Sequence, residues 1–151
     1  MRLLALAMSF VSVSAFACPD LTGSYPICRM ASGELTSTND VIISQTELNG
    51  ITTYSYASTD TADYQRVTVE ITADGQPYSE DVTDPETNVT YTETSSVHCM
   101  GEILHIVINT SHQGQALGTT NVEVNKTRNQ LIQKTYGSFM GHDFSETTVC
   151  E

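Results

Sequence analysis

Three histidines at a regular interval are the first side chains whose spacing could serve chemistry. His98, His105 and His112 follow one another at intervals of seven residues, and imidazole is the commonest metal ligand among side chains. In extended strands an odd spacing places residues on opposite faces of a sheet, and Met100-Gly101 predicts a turn between the first two histidines. We therefore expect scattered polar histidines, no shared metal site and no cofactor.

Motifs for nucleophilic or phosphate chemistry do not occur in the sequence. Serine is abundant, but no G-x-S-x-G elbow presents one as a nucleophile. No glycine-rich phosphate loop is found either, and no cysteine belongs to a C-x-x-C pair. We expect no catalytic residues and a protein that is not an enzyme.

The acidic residues include two groups that the strand pattern places in loops. These are 60–63 and 80–86, and neither matches the D-x-[DN]-x-[DN]-G loop of a calcium site. The chain carries 18 acidic against 6 basic residues, a net charge of −12. Nucleic acid and anionic membranes are thus unlikely partners by charge, because both require clustered Lys and Arg.

Tyrosines provide the one indication of a ligand. Tyr54 and Tyr56 share one face of a predicted strand, and Tyr91 and Tyr136 lie in predicted strands with an apolar inward face. Rigid amphipathic rings suit a binding cavity or a protein interface. We predict these four residues as ligand-binding candidates.

The amino terminus predicts export. Residues 1–17 combine Arg2, an apolar run and an Ala-Phe-Ala ending, the layout of a cleaved secretory signal peptide. No stretch reaches the roughly 20 apolar residues of a transmembrane helix. Residues 18–151 are expected to form a single secreted or periplasmic domain. The alternative is a lipid anchor on Cys18, but the bulky Phe16 departs from a lipoprotein signal.

The remaining sequence predicts an all-β domain. Threonine, valine, isoleucine and tyrosine are frequent, and residues that favour strands alternate with turn signals. Asn49-Gly50 predicts one hairpin and Asp74-Gly75 a second turn. Eight to ten sequential antiparallel strands close most simply into an up-and-down β-barrel, with a β-sandwich as the alternative.

The opening of the first strand resembles that of the lipocalins and wider calycins. Those families begin their first strand with Gly-x-Trp, and here Gly23-Ser24-Tyr25 stands at that place, with Tyr for Trp. The carboxy-terminal helix of the family is not evident. The resemblance implies a cup-shaped barrel that holds a small apolar ligand.

Four cysteines in the exported part predict two disulfides with three possible pairings. These are Cys18, Cys28, Cys99 and Cys150. Following the strands of a barrel places Cys99 and Cys150 at the same end, so we expect them to pair and Cys18 to join Cys28. The expected function is binding of a small apolar molecule; the alternative is a protein-interaction module, such as an inhibitor or an adhesin-like accessory.

Overall fold

Eleven strands and their turns make up the described part of a computed structural model, which covers residues 17–36 and 38–151. The predicted signal peptide lies almost wholly outside the described residues and stays a prediction. In the described ranges no helix is long and apolar enough to cross a membrane. The strands are β1 (Gly23–Tyr25), β2 (Cys28–Met30), β3 (Thr38–Leu48), β4 (Ile51–Asp60), β5 (Arg66–Ala73), β6 (Tyr78–Thr83), β7 (Thr90–Met100), β8 (Ile103–His112), β9 (Gln115–Thr127), β10 (Gln130–Phe139) and β11 (His142–Cys150).

The strands form two antiparallel sheets. The smaller has the order β1-β3-β4-β5 and the larger the order β2-β11-β10-β9-β8-β7-β6. From β3 to β5 and from β6 to β11, consecutive strands are neighbours, as the turn signals predict. Asn49 and Gly50 both have positive φ, 54° and 77°, the backbone that a tight hairpin turn requires.

One bent amino-terminal segment joins the two sheets. β1 pairs with β3, and β2 pairs with β11, the last strand. Hydrogen bonds continue through the bend: the Asp40 amide donates to the Pro26 carbonyl (3.2 Å), and Ile27 and Glu151 bond to each other in both directions (3.2 and 2.9 Å). The two sheets are therefore continuous on this side.

On the opposite side the sheets remain separate. β5 and β6 follow each other in sequence, yet each is the last strand of its sheet. The turn between them forms, with Asp74 accepting from the Gln76 amide (2.9 Å), but the Gly75 amide donates to the Val97 carbonyl on β7 (3.0 Å). The prediction of a closed barrel is wrong, because this turn attaches to β7 and no β5–β6 ladder follows. The resulting pair of antiparallel sheets, which we call the roll, is compatible with the predicted alternative, a β-sandwich.

The core lies at one end of this roll. Leu104, Val124 and Leu131 are buried where β8 and β10 begin, and Val41 and Ile43 face them from the smaller sheet. Each fully buried aliphatic side chain contributes about 1.5–3 kcal/mol relative to an exposed one. The other end of the larger sheet carries mostly half-buried side chains.

Residues 17–22 close the core end. Leu21 is 1% exposed, the Pro19 carbonyl accepts a hydrogen bond from Tyr54 Oη (2.7 Å), and the Thr22 carbonyl accepts one from Lys126 Nζ (2.7 Å). Asp20 accepts two hydrogen bonds from Thr22, mainly from its hydroxyl, which lowers the pKa of Asp20. The segment is thus tied to β4 and β9 at once.

The disulfides confirm that all four cysteines are bonded but correct their pairing. Cys18 joins Cys99 and Cys28 joins Cys150, so the predicted Cys99–Cys150 and Cys18–Cys28 bridges are wrong. The reason is the bent amino-terminal segment, which places Cys28 directly opposite Cys150 in the β2–β11 ladder. Because the Cys18 sulfur is in a disulfide, it has no valence left for a thioether-linked lipid.

Candidate functional site

A cleft lies on the side of the roll where β5 and β6 do not pair, and we call it the seam cleft. It has a volume of about 690 Å³ and lies between β5 of the smaller sheet and β6, β7 and β8 of the larger one. Its walls are the facing sides of the two sheets, and Glu70 and Thr72 on the other face of β5 also border it at the strand edge. The geometry therefore results from the missing β5–β6 ladder.

Aliphatic side chains from three strands line the seam cleft. Val69 and Ile71 project from β5, Val97 from β7, and Ile106 and Ile108 from β8. Within each strand these residues are separated by two positions or stand alone, so they share a face, and Val97 is the register partner of Ile106. This arrangement suits an apolar ligand group.

Carboxylates surround this apolar wall. Glu80 on β6 and Glu93 on β7 are direct register partners, and Glu70 and Asp74 line the β5 side. Like charges directly opposite each other destabilise a sheet. Among the residues that line the seam cleft there is no Lys, Arg or His, so the cleft has a negative potential.

A smaller cavity of about 320 Å³ lies on the other side of β4. It is bounded by the Cys28–Cys150 disulfide together with Tyr56, Gln133 and Glu146. Tyr56 is the register partner of Val69, so one cross-strand pair separates this cavity from the seam cleft. Burial raises the pKa of Tyr56 above its ordinary value.

The four predicted tyrosines do not converge on one site. Tyr54 is buried in the core, with its hydroxyl bonded to Pro19, and Tyr56 lines the smaller cavity. Tyr91 packs its ring against His112 with centroids 5.8 Å apart. Ligand binding by these residues stays a prediction, but the structure does not support a shared tyrosine pocket.

Tyr136 lies on the outer face of the larger sheet. Its hydroxyl donates to Glu123 Oε1 (2.7 Å), and Lys134 Nζ lies 4.9 Å from the centroid of its ring. The hydrogen bond to Glu123 is the largest cause that raises the pKa of Tyr136. Tyr136 therefore belongs to a network of surface side chains that links β9 and β10.

The histidines differ from their expected arrangement in one respect. His98 and His105 are direct register partners across the β7–β8 hairpin, so their side chains lie on the same face of the sheet. The rule that an odd spacing gives opposite faces holds within one strand, and these two residues lie on different strands. His105 Nε2 is buried without a hydrogen-bond partner. Throughout residues 17–36 and 38–151, no three His, Cys, Asp or Glu side chains are grouped closely enough to hold a metal ion.

The loop carboxylates satisfy their own turns. Asp60 accepts from the Ala62 amide (2.7 Å), and Asp84 accepts from the amides of Glu86 and Thr87 (2.8 and 3.2 Å). The backbone hydrogen bond from Glu86 is the largest cause that lowers the pKa of Asp84. Asp60 and Asp84 therefore act as local turn-stabilising groups. Glu80 and Asp81 lie within strand β6, so the prediction that they belong to a loop is wrong.

No family model matches the chain, and no curated protein or solved structure shows significant similarity to it. Its function has to be argued from the geometry of the seam cleft.

Sequence reasoning missed the seam cleft, although part of the signal was present. The alternation of Val67, Val69 and Ile71 marks one apolar face of β5. Nothing local indicates that this face would stay half open, because Asp74-Gly75 also fits a tight hairpin. The deciding hydrogen bond, from Gly75 to Val97, joins residues that are distant in sequence.

Proposed function

We propose that the chain is an exported, non-catalytic binding protein that holds the apolar part of a small ligand in the seam cleft. One observation carries the proposal: a cleft of about 690 Å³ walled by aliphatic side chains from three strands. Small-molecule sites typically measure roughly 300–1,000 Å³ and are lined mainly by apolar side chains. The lipocalin-like opening of the sequence is consistent with this class of ligand.

Export supports the same proposal. Two disulfides are consistent with an oxidising compartment, and the predicted signal peptide ends immediately before Cys18. We place the protein in the periplasm or outside the cell, where a soluble carrier of an apolar ligand has an evident use.

Titration with a neutral naphthylamine dye, whose fluorescence rises in an apolar environment, tests the proposal. Ser95 lines the seam cleft, whereas Ser96 is its neighbour on the opposite face of β7. Ser95→Phe fills the cleft and is expected to weaken dye binding about tenfold, equivalent to about 1.4 kcal/mol. Ser96→Phe, the matched control, should leave the affinity unchanged. Absence of dye binding, or equal effects of both variants, would contradict the proposal.

The second candidate function is a protein-interaction module, and the unpaired strand edges favour it. Tyr78 on β6 and Val67 on β5 are 65% and 52% exposed beside these edges. Exposed strand edges with apolar side chains are sites where a segment of another protein can pair as an additional strand. The two functions differ in whether the occupant uses only the apolar wall or also the backbone of β6.

A further inference from the structure

The free edge of β6 is a feature that a small apolar ligand would not use. Within the described part of the chain β6 pairs only with β7, and its six residues are all exposed. A strand at the end of a sheet has a row of backbone N–H and C=O groups without partners in the sheet. β5 has a second such edge across the seam cleft, so two edges border the same opening.

The side chains at alternate positions of β6 on the side of the seam cleft are Tyr78, Glu80 and Val82, an acidic group between two apolar ones. Tyr78 and Val82 on β6 are 65% and 40% exposed, and Val67 and Val69 on β5 are 52% and 49% exposed. Residues two apart point to the same side of a strand. A strand added to β6 would therefore direct every second side chain onto this surface, which offers Tyr78 and Val82 to apolar side chains and Glu80 to a basic one.

The charge at the edge determines which chain fits. Glu80 and Asp81 lie within β6, and Glu93 is opposite Glu80 on β7. Pairing of two copies of this chain, β6 against β6, would bring these carboxylates together on chains that each have a net charge of −12. Repulsion between the copies disfavours that assembly, whereas a basic segment is attracted.

We propose that an extended, basic polypeptide segment of a partner protein adds to the free edge of β6 and covers the seam cleft. Its backbone pairs with β6, and the side chains at every second position point to the cleft side, where the apolar ones contact Val69 and Tyr78 and the Lys or Arg ones lie near Glu80 and Glu93. The inference rests on the second of the two proposed functions and names its partner class.

The probe for this inference is a fluorophore-labelled octapeptide in which valine and lysine alternate at the even positions, which share one face, and threonine occupies the odd positions. Binding is measured by fluorescence anisotropy at low and at raised salt with the disulfide-bonded protein. A peptide of the same sequence, N-methylated at every backbone amide, keeps the charge and the apolar side chains but cannot donate backbone hydrogen bonds along either edge. We expect the unmodified peptide to bind and the methylated one to bind about tenfold more weakly, since main-chain hydrogen bonds supply the affinity of strand addition.

Charge-reversal variants locate the binding site. Glu80→Lys is expected to weaken peptide binding about tenfold, through repulsion of the basic side chains. Glu34→Lys makes the same change of net charge near β2, at the opposite end of the larger sheet from β6, and should leave peptide binding unchanged.

Three results would overturn the inference: no peptide binding at low salt, equal affinity of the methylated peptide, or equal effects of the two charge reversals. The dye titration separates this failure from failure of the small-ligand proposal. Dye binding that Ser95→Phe weakens, together with absent peptide binding, leaves the small-ligand function and removes the strand-addition partner.

Discussion

At the scale of single residues, the core tyrosines act as anchors. Tyr54 donates to the Pro19 carbonyl (2.7 Å) and Tyr25 to the Leu21 carbonyl (3.1 Å), and both rings are buried. The Tyr25 ring also explains Gly23, because a Cβ there would lie 2.7 Å from Tyr25 Oη. The Gly-x-Tyr spacing is thus a packing requirement of this chain.

Substitution of Tyr54 by Phe tests the anchor. The change leaves the buried Pro19 carbonyl without its donor, which we expect to lower the free energy of unfolding by about 1–3 kcal/mol. Tyr64→Phe, at a tyrosine that is 80% exposed, is the control and should change it little. A urea titration measures both; equal stability of the two variants would contradict the anchoring role.

The raised pKa of Tyr54 makes the stability of the fold depend on pH. Burial, the largest cause, raises the pKa of Tyr54 from 10.0 to about 12, so the folded chain holds the phenolic proton more tightly than the unfolded chain. This contribution to stability is complete below pH 10.0 and is lost as the pH rises toward about 12. Urea titrations across this range should show a steeper loss for the native protein than for Tyr54→Phe, and parallel losses would refute the assignment.

At the scale of elements, glycines permit the close approach of β9 and β10. A Cβ at Gly118 would lie 2.8 Å from the Phe139 Cα and collide with the Ser138 carbonyl oxygen; one at Gly137 would lie 3.0 Å from the Thr119 carbonyl carbon. Gly118 pairs with Phe139, and Gly137 pairs with Thr120. Side chains at these two positions would therefore push β9 and β10 apart.

Alanine substitutions at these glycines test the close approach. We expect Gly118→Ala and Gly137→Ala each to destabilise the fold by about 1–3 kcal/mol, because overpacking forces the backbone to shift. Ser138→Ala, the adjacent position on β10, should stay within about 0.5 kcal/mol. Thermal unfolding of the three variants provides the comparison, and stability of a glycine variant equal to that of Ser138→Ala would show that the strands separate without cost.

At the scale of the whole molecule, two disulfides tie the segment from Cys18 to β2 to strands of the larger sheet. The Cys28–Cys150 disulfide lies within the β2–β11 ladder, with a separation of 122 residues. Cys18–Cys99 ties the segment across the core end to β7, with a separation of 81 residues. Both bridges constrain long loops in the unfolded chain, where a disulfide restricts the most conformations.

Removal of either disulfide should lower the stability of the fold. Replacing both cysteines of a bridge by alanine is expected to lower the free energy of unfolding by about 2–5 kcal/mol. Proteolytic mapping without reduction should recover Cys18 linked to Cys99 and Cys28 linked to Cys150. A peptide that links Cys18 to Cys28 would contradict this topology, and an unchanged stability of the double-alanine variants would contradict the role of the bridges.

Local signals predicted most of the individual strands. The Asn49-Gly50 hairpin and the strand around Val67–Ile71 occur where the sequence predicts them, because turn chemistry and alternation act over a few residues. The candidate site was different: the sequence favoured a tyrosine-lined cavity, whereas the structure places the larger cleft between β5 and β8. The position of the cleft depends on which strands remain unpaired, and the alternation of apolar and polar residues within a strand does not indicate which strands these are.

The sequence by itself determined the all-β class, the turn positions, the acidic surface and the bonding of four cysteines, since these follow from composition and short-range spacing. Only the tertiary structure decided the disulfide pairing and the open seam. Both depend on long-range contacts: the bent β1–β2 segment that pairs with β3 and β11, and the Gly75–Val97 hydrogen bond that holds the β5–β6 turn against β7.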